Sequence, residues 1–302
     1  MRSRRPADTV TKMAELDDDQ QRRQWSDSLA AAWERHRKRL FESQRQVSNW
    51  LVDHLDPRPG QTILEFAAGP GETGFLAAER VEPGRTLIST DIGQGMVDAA
   101  QRGAAERGLT NVECRIMDGQ DIDLADASID GALCRFGLML MPEPERALAG
   151  TRRVLRPGGR LVYATWGRPD RNPWLSLLAM AVLQHGHQPP GNPFEPGGPF
   201  SLADPDRNRQ LVRTAGFEDP QIDELVDVVR FDDIDDYWNL QTEVSGPIAL
   251  FISSLPQDSV QTIRATLEPM LEPFEVGDGY ELPTLAIAVA ATARSATSSP
   301  AR

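Results

Sequence analysis

The sequence predicts an α/β fold in which a mostly parallel sheet carries helices on both faces. Two observations predict it: short apolar runs of strand length alternate with helical stretches, and turns separate them. The five apolar runs lie at 62–66, 86–90, 112–117, 131–134 and 160–165, and the helical stretches between them at 72–80, 95–107 and 143–154. This alternation is typical of βαβ units, whose strands run parallel. A Pro-Gly-Gly turn at 157–159 precedes the fifth run.

The segments on either side of this alternation have other patterns. Residues 21–55 read as helical, and residues 56–60 break the helix. Beyond residue 166, helical patterns at 204–215, 234–255 and 258–271 are mixed with strand patterns at 222–231 and 282–290. We therefore predict four parts: an N-terminal helical segment at 1–54, a core at 55–166, helices with the final strands of the sheet at 167–294, and a flexible tail at 295–302.

Composition excludes some classes of protein. The formal net charge is -13, which disfavours binding to a nucleic-acid backbone. The longest apolar stretch, at 175–183, is well short of the roughly 20 residues that a membrane-spanning helix needs. Cys114 and Cys134 form no C-x-x-C pair and no metal-ligand spacing. We therefore expect a cytoplasmic protein without a metal site, a membrane span or a nucleic-acid partner.

A glycine-rich loop follows the first strand. The segment Ile63-Leu64-Glu65-Phe66-Ala67-Ala68-Gly69-Pro70-Gly71-Glu72-Thr73-Gly74 runs from an apolar strand through small residues into a helix. Small residues let a ligand approach the backbone, and a helix N-terminus offers free N–H groups to it. A tight turn without a ligand would have the same pattern, so this loop alone leaves both interpretations open.

Three acidic residues sit at the ends of the first three strands. Asp91 comes about 20 residues after the loop, where a carboxylate can accept both hydroxyls of a ribose. Asp118, next to Gly119, follows the third strand, and Glu65 lies near the end of the first. All three should meet at the carboxyl edge of the sheet, where open α/β folds bind ligands. A helix N-cap at Asp91 and an ordinary Asp-Gly turn at Asp118 remain alternatives.

Several motifs in order resemble the class I S-adenosylmethionine-dependent methyltransferases, closest to the ubiquinone/menaquinone-biosynthesis C-methyltransferase type. The resemblance covers about residues 50–174. Its motifs are Leu64-Glu65-Phe66-Ala67-Ala68-Gly69-Pro70-Gly71, Ser89-Thr90-Asp91-Ile92 with Met96, Asp118-Gly119, Arg135-Phe136-Gly137-Leu138 and Arg153-Val154-Leu155-Arg156-Pro157-Gly158-Gly159. It implies a Rossmann-like sheet of seven strands, N-terminal helices, a helical C-terminal lid region, and S-adenosylmethionine as cofactor bound to the core.

The resemblance also implies roles for individual residues. The methionine moiety would be held by Glu65 and by the backbone of Gly69 and Gly71, and the ribose by Asp91 beside Ile92. The adenine ring would pack on Met96, and its amino edge would meet Asp118 and Gly119. The backbone near Cys134 would line the far side of the cofactor. Ala67 departs from the family, which has glycine there. We expect this alanine to be tolerated with a negative φ and to shift the cofactor or weaken its binding.

The expected reaction is in-line methyl transfer to a small, hydrophobic or aromatic acceptor molecule. Arg135, beside the expected methyl position, and His36 are the candidate catalytic residues. An ion pair of Arg135 with Glu143 or Glu145, and a surface or capping role for His36, are the structural alternatives. Tryptophans outside the core predict a lid, which would keep the acceptor pocket dry. The sequence leaves a homodimer open.

Two other functions compete with methyl transfer. An NAD-dependent dehydrogenase also has a glycine loop and an acid after the second strand, but its spacing is G-x-G-x-x-G, whereas this loop reads E-x-A-x-G-x-G. A non-catalytic protein of the same fold that binds a nucleoside or S-adenosylmethionine would share every motif. Such a protein would bind cofactor without forming S-adenosylhomocysteine from it.

Overall fold

A computed structural model describes residues 27–189 and 191–294 of the chain. The flexible tail predicted at 295–302 and the first 26 residues of the N-terminal segment lie outside these described residues.

A twisted, mostly parallel sheet forms the centre of the molecule. Its strands are β1 (Ile63–Phe66), β2 (Leu87–Asp91), β3 (Val112–Ile116), β4 (Ile129–Arg135), β5 (Leu155–Trp166), β6 (Phe217–Phe231), β7 (Glu275–Val276) and β8 (Gly279–Ala293). Seven of them follow the order β3-β2-β1-β4-β5-β8-β6, and the two-residue β7 pairs with β8. Strands β1 to β5 are parallel, whereas β8 is antiparallel to β5 and β6. The predicted α/β class with seven main strands is confirmed.

Helices cover both faces of this sheet. They are α1 (Asp27–Glu42), α2 (Arg45–Leu55), α3 (Glu72–Val81), α4 (Gln94–Glu106), α5 (Pro144–Val154), α6 (Pro173–Gln184), α7 (Pro205–Thr214), α8 (Ile234–Val244), α9 (Pro247–Ser253) and α10 (Gln257–Leu271). Alternate strand residues face opposite sides: Ile63 packs with α2, α3 and α4, while Leu64 and Phe66 pack with α5, α6 and α7. None of the helices described is long and apolar enough to cross a bilayer.

Three element boundaries differ from the sequence prediction. Within the described residues, the helical pattern at 21–55 is divided between α1 and α2. The pattern at 234–255 is broken at Gly246, which has a φ of +56 and directly precedes Pro247. The Pro-Gly-Gly turn lies inside β5, where the pairing with β4 moves from Ile129–Leu155 to Gly131–Arg160. A turn sequence can therefore be absorbed by a strand as a bulge.

Helix α1 is held between the core and the C-terminal helices. On the core side, Glu34 accepts two hydrogen bonds of 2.7 Å from Arg102 of α4. On the other side, the Trp33 indole N–H donates to the carbonyl of Val244 at 3.1 Å, and Arg35 bonds Glu243 at 2.7 Å. α1 thus bridges two parts of the molecule, and its movement as part of a lid stays a prediction.

Helix α6 is fixed at its start by Asn172, a fully buried side chain. Its Nδ2 donates to the carbonyls of Gly167, Arg168 and Leu285, and its Oδ1 accepts from the Leu285 N–H at 3.0 Å. One amide therefore ties the loop before α6 to strand β8.

Replacing Asn172 should show how much this anchor contributes. We expect Asn172→Ala to lower the free energy of unfolding by about 2–4 kcal/mol, since it leaves buried backbone groups without partners. The control is Asn192→Ala, which removes an exposed loop amide and should change stability by less than about 0.5 kcal/mol. Equal effects of both substitutions in urea denaturation would contradict the anchoring role.

Candidate active site

The glycine-rich loop between β1 and α3 forms a tight turn at the carboxyl edge of the sheet. Its backbone is left-handed at Ala67, Gly69 and Gly71, with φ of +51, +55 and +85. The Ala68 N–H donates to the carbonyl of Thr90 on β2 at 2.9 Å, which ties the loop to the neighbouring strand. No described residue beyond its chain neighbours fills the space where a Gly69 side chain would lie.

The expectation of a negative φ at Ala67 is wrong. Ala67 adopts the left-handed conformation that the family's glycine would, at a cost of about 1–2 kcal/mol. Gly137 provides the room, because a Cβ atom there would overlap the Ala67 methyl group. The methyl group of Ala67 after β1 therefore fits only because Gly137 after β4 has no side chain. An effect of Ala67 on cofactor binding stays a prediction.

Glu65 has a buried carboxyl group beneath the loop. Its Oε1 accepts a hydrogen bond from the Gly74 N–H at 2.9 Å, and Ser89 Oγ donates to Oε2 at 3.4 Å. A side chain at Gly74 would overlap this carboxylate, so only glycine fits there. Burial raises the pKa of Glu65 to about 8, against the opposing effect of the Arg135 charge. Glu65 anchors the first turn of α3, and its contact with methionine stays a prediction.

Asp91 joins the loops that follow β1 and β2. Its Oδ2 accepts from the Gly69 N–H at 2.9 Å and its Oδ1 from the Gly93 N–H at 3.0 Å. Burial raises the pKa of Asp91, while the N–H groups of Gly93, Gly69 and Ile92 act in the opposite direction. Helix α4 begins after Gly93 without a side-chain cap. Asp91 is therefore not the N-cap of α4 but a bridge between two loops. Its binding of the ribose stays a prediction.

The residues expected around adenine lie beside this bridge. Asp118 accepts a hydrogen bond from the Gln120 N–H at 2.8 Å, the ordinary Asp turn that the sequence left open. Gly119 is buried against Met141 and Phe66, and Met96 is buried in the first turn of α4. The predicted contacts of Asp118, Gly119, Met96 and the half-buried Ile92 with the cofactor remain predictions.

Strand β4 ends at Cys134 and Arg135. Cys134 is fully buried, and burial raises the pKa of its thiol to about 12, so it is a strand residue rather than a nucleophile. Burial lowers the pKa of the Arg135 guanidinium, while the charges of Glu65 and Glu72 oppose this effect. Among the residues described, Arg135 Nη1 is buried without a hydrogen-bond partner. Glu143, one of the two acids considered for an ion pair with Arg135, instead pairs with Arg146 at the surface.

The other candidate catalytic residue, His36, lies in the contact between α1 and α8. Its Nε2 is 2.9 Å from Oε2 of Glu243, the carboxylate that also pairs with Arg35. The structure therefore shows His36 as a link between two helices.

An aromatic wall stands next to Arg135. Phe136, with a φ of +60, stacks on Trp166 at 3.7 Å between ring centroids, and Trp174 meets Trp166 edge-on at 5.3 Å. Sequence reasoning missed Trp166 as a member of this wall. An aromatic residue at the carboxyl end of a parallel strand was the available signal.

Gln44 is a second residue that sequence reasoning missed. It immediately precedes α2, whose last residue, Leu55, lies against the first residues of β1 and β4. α2 therefore starts at the carboxyl edge, where Ser48 bonds Thr73 of α3 at 3.0 Å between hydroxyl oxygens. Gln44 is 3% exposed, and neither polar atom of its side chain has a partner within the described part of the chain.

Comparison with known proteins adds family information to this geometry. Residues 63–159 match the model of a family described as a methyltransferase domain. Nocamycin O-methyltransferase from Saccharothrix syringae is 41% identical over 117 residues, which is 39% of this chain and 42% of that protein. Demethylmenaquinone methyltransferase from Paenarthrobacter aurescens (strain TC1) is 31% identical over 145 residues, 47% of this chain and 54% of that one. The chain spans about half the length of the curated relatives it matches.

The fold has solved relatives as well. The crystal structure of the YcgJ protein from Bacillus subtilis superposes with a TM-score of 0.58 at 16% identity, covering 83% of this chain and 99% of that chain. At such low identity the match concerns the fold alone. The sequence and structure matches together confirm the resemblance that the sequence motifs indicated.

The size match between Ala67 and Gly137 can be tested by a double-mutant cycle. Gly137 has a φ of -98, which alanine adopts freely, so Gly137→Ala should destabilise by overlap alone, by about 1–3 kcal/mol. Adding Ala67→Gly should recover at least about 1 kcal/mol of that loss. Strictly additive free energies of unfolding would contradict direct packing between the two residues.

The buried carboxyl of Glu65 should make stability depend on pH. The folded protein keeps this proton up to its raised pKa of about 8, whereas the unfolded chain releases it near 4.5, so stability falls as pH rises between those values. Between pH 5 and pH 8, we expect the free energy of unfolding to fall by about 2–4 kcal/mol more in wild type than in Glu65→Gln.

Urea denaturation at constant ionic strength measures this difference. The control is Glu79→Gln, which neutralises a half-exposed carboxylate in the same region. If the stability curves of wild type and Glu65→Gln run parallel from pH 5 to pH 8, Glu65 is ionised in the folded protein and the assignment is wrong.

Proposed function

We propose that this protein is a class I methyltransferase that transfers the methyl group of S-adenosylmethionine to a small organic acceptor. The match of residues 63–159 to a family described as a methyltransferase domain supports the proposal. The observation that carries the proposal is the loop held open by Asp91, which bonds the backbone of Gly69 and Gly93. The names of the relatives described above, for nocamycin and demethylmenaquinone, support a small-molecule acceptor.

The residues around the loop fit the cofactor. Among the described residues, no atom beyond Gly69 and its two chain neighbours lies within 4 Å of the position of a Gly69 Cβ, so a ligand can approach the backbone there. On the same edge of the sheet, Gln44 and Arg135 supply buried polar atoms that have no partner among residues 27–189 and 191–294. An amide that can both donate and accept, together with a guanidinium, suits the ammonium and carboxylate groups of a methionine moiety.

We assign the cofactor contacts along this edge. The methionine moiety would be bound by Glu65, Ala67, Gly69 and Gly71, and the ribose by Asp91 and Ile92. The adenine would contact Met96, Asp118 and Gly119, and the Cys134 backbone would lie on the far side of the cofactor. Each carboxylate oxygen can accept two hydrogen bonds, so Asp91 can keep its two backbone bonds and still accept two ribose hydroxyls.

The chain's part in the reaction is alignment and exclusion of water. The bound cofactor supplies an already activated methyl group on a sulfonium, so the protein needs to hold the acceptor in line with it. Phe136 and Trp166 form a flat apolar wall beside the end of β4, against which an acceptor ring can lie. Arg135 cannot act as a base, because its guanidinium stays protonated. Its charge can instead orient an anionic acceptor.

His36 is the proposed general base for acceptors that must lose a proton. Its pairing with Glu243 would hold the imidazole in one orientation, as a carboxylate does for a catalytic histidine. Movement of α1 would be needed to bring it to the acceptor. A simple link between α1 and α8 is the competing role.

Calorimetry tests the proposed function. We expect S-adenosylhomocysteine to bind and NADH not to bind. Asp91→Asn should reduce the free energy of binding to S-adenosylhomocysteine by roughly 1.5–3 kcal/mol, the usual range for a hydrogen bond to a charged group. Asp126→Asn, which changes a carboxylate that is 77% exposed, should bind as wild type does. Binding of NADH without binding of S-adenosylhomocysteine would overturn the proposal in favour of a dehydrogenase.

A further inference from the structure

The first residue of α3 places a buried acid next to the glycine loop. Glu72 directly follows Gly71, and its side chain is 4% exposed. The free N–H groups at a helix N-terminus favour a negative group close by. Glu72 already supplies one negative charge in this first turn. A second anion bound at the loop would be repelled by that charge unless other groups balance it.

Two arginines from outside α3 pair with this carboxylate. Arg37 of α1 donates to Glu72 Oε1 at 3.3 Å, and Arg107, the residue after α4, donates to Oε2. The Arg37 side chain is 10% exposed and passes α4 at Gly103, where a Cβ atom would lie 2.7 Å from its Nη1. Arg37 therefore reaches Glu72 through space that a glycine leaves open.

The other acids of this network lie further towards solvent. Glu106 also pairs with Arg37, and Glu79 lies 3.8 Å from Arg107 between charged atoms. Their side chains are 59% and 50% exposed, so water and salt screen their charges strongly. The buried carboxylate of Glu72 is screened far less. At the loop itself, the balance is thus between Glu72 and its two arginines.

The charge of Glu72 acts on the edge of the sheet to which we assign the methionine moiety. Burial lowers the pKa of the Arg135 guanidinium, and the charges of Glu65 and Glu72 oppose this effect. Glu72 is therefore within electrostatic reach of Arg135, one of the groups proposed for the methionine carboxylate. A charge that favours the cationic form of Arg135 disfavours an anion bound beside it.

We propose that Arg37 and Arg107 are positioning residues for the cofactor, which balance the buried charge of Glu72 and thereby let the glycine loop accept the carboxylate of the methionine moiety. The inference rests on the proposed function and adds two residues outside the loop to it. Helix α1 would then take part in cofactor recognition without touching the cofactor. A purely structural link between α1 and α3 is the competing role, and it would affect all ligands of the loop alike.

Calorimetry on the full-length protein with two ligands separates these roles. One ligand is S-adenosylhomocysteine, and the other is its decarboxylated form, which keeps the adenosine, the sulfur and the ammonium group. Arg37→Gln should weaken S-adenosylhomocysteine about 10-fold, because the Glu72 charge is then poorly balanced and repels the carboxylate. The decarboxylated ligand should bind Arg37→Gln at least as tightly as wild type, because its only charged group is an ammonium.

Further variants test whether the effect passes through Glu72. Arg37→Gln combined with Glu72→Gln should bind S-adenosylhomocysteine within about threefold of wild type, because the buried charge is gone. Arg107→Gln should weaken S-adenosylhomocysteine by about threefold and spare the decarboxylated ligand. The matched control is Arg102→Gln, which breaks the exposed ion pair of α4 with Glu34 of α1 at 2.7 Å and should leave both ligands unchanged.

The remaining outcomes overturn the proposal. If Arg37→Gln weakens both ligands equally, or if adding Glu72→Gln recovers nothing, the arginine has a structural role only. If Arg37→Gln does not fold, Arg107→Gln decides, and an equal loss for both ligands or no loss for either contradicts the proposal. Failure of S-adenosylhomocysteine to bind wild type would remove the proposed function together with this inference. Normal binding that none of the substitutions changes removes this inference alone.

Discussion

The bridge made by the Asp91 carboxylate is the interaction on which the site depends. One side-chain oxygen holds the Gly69 N–H of the glycine loop, and the other holds the Gly93 N–H before α4. A buried carboxylate is stable only when such donors surround it. Its hydrogen bonds therefore fix two neighbouring loops at the same edge of the sheet. Helices α3 and α4 both begin directly after the loops that this carboxylate holds.

Two of the five non-glycine residues with left-handed backbone in the described part of the chain lie at the same edge. Ala67 after β1 and Phe136 after β4 are both left-handed without being glycine, and β1 and β4 are adjacent strands. Packing holds both conformations, through the missing side chain of Gly137 in one case and the stack on Trp166 in the other. Strain that the surrounding structure maintains is frequent at functional sites. Here the two strained residues belong to the loop proposed for the cofactor and to the wall proposed for the acceptor.

The sequence predicted the strands, the loop and the strand-end acids because each is a local pattern. It could not predict what those acids bond, since the partners of Glu65 and Asp91, apart from the Ser89 hydroxyl, are backbone groups whose positions depend on the loop. The negative φ expected for Ala67 failed for a similar reason. Its methyl group fits only because Gly137, 70 positions later in the chain, is brought against it. The burial of polar atoms of Gln44, Trp174 and Gln241 away from any partner in the described part of the chain likewise arises only once helices have packed.

Hydrogen exchange followed by mass spectrometry, with and without S-adenosylhomocysteine, tests the assignment of this edge as the cofactor site most directly. The amides of an ordered loop exchange more slowly when a ligand covers them. We expect added protection in peptides that cover the glycine loop at 63–74, the Asp91 loop at 91–97 and the Asp118 loop at 117–121. Protection confined to other segments, with these three unchanged under saturating ligand, would contradict it.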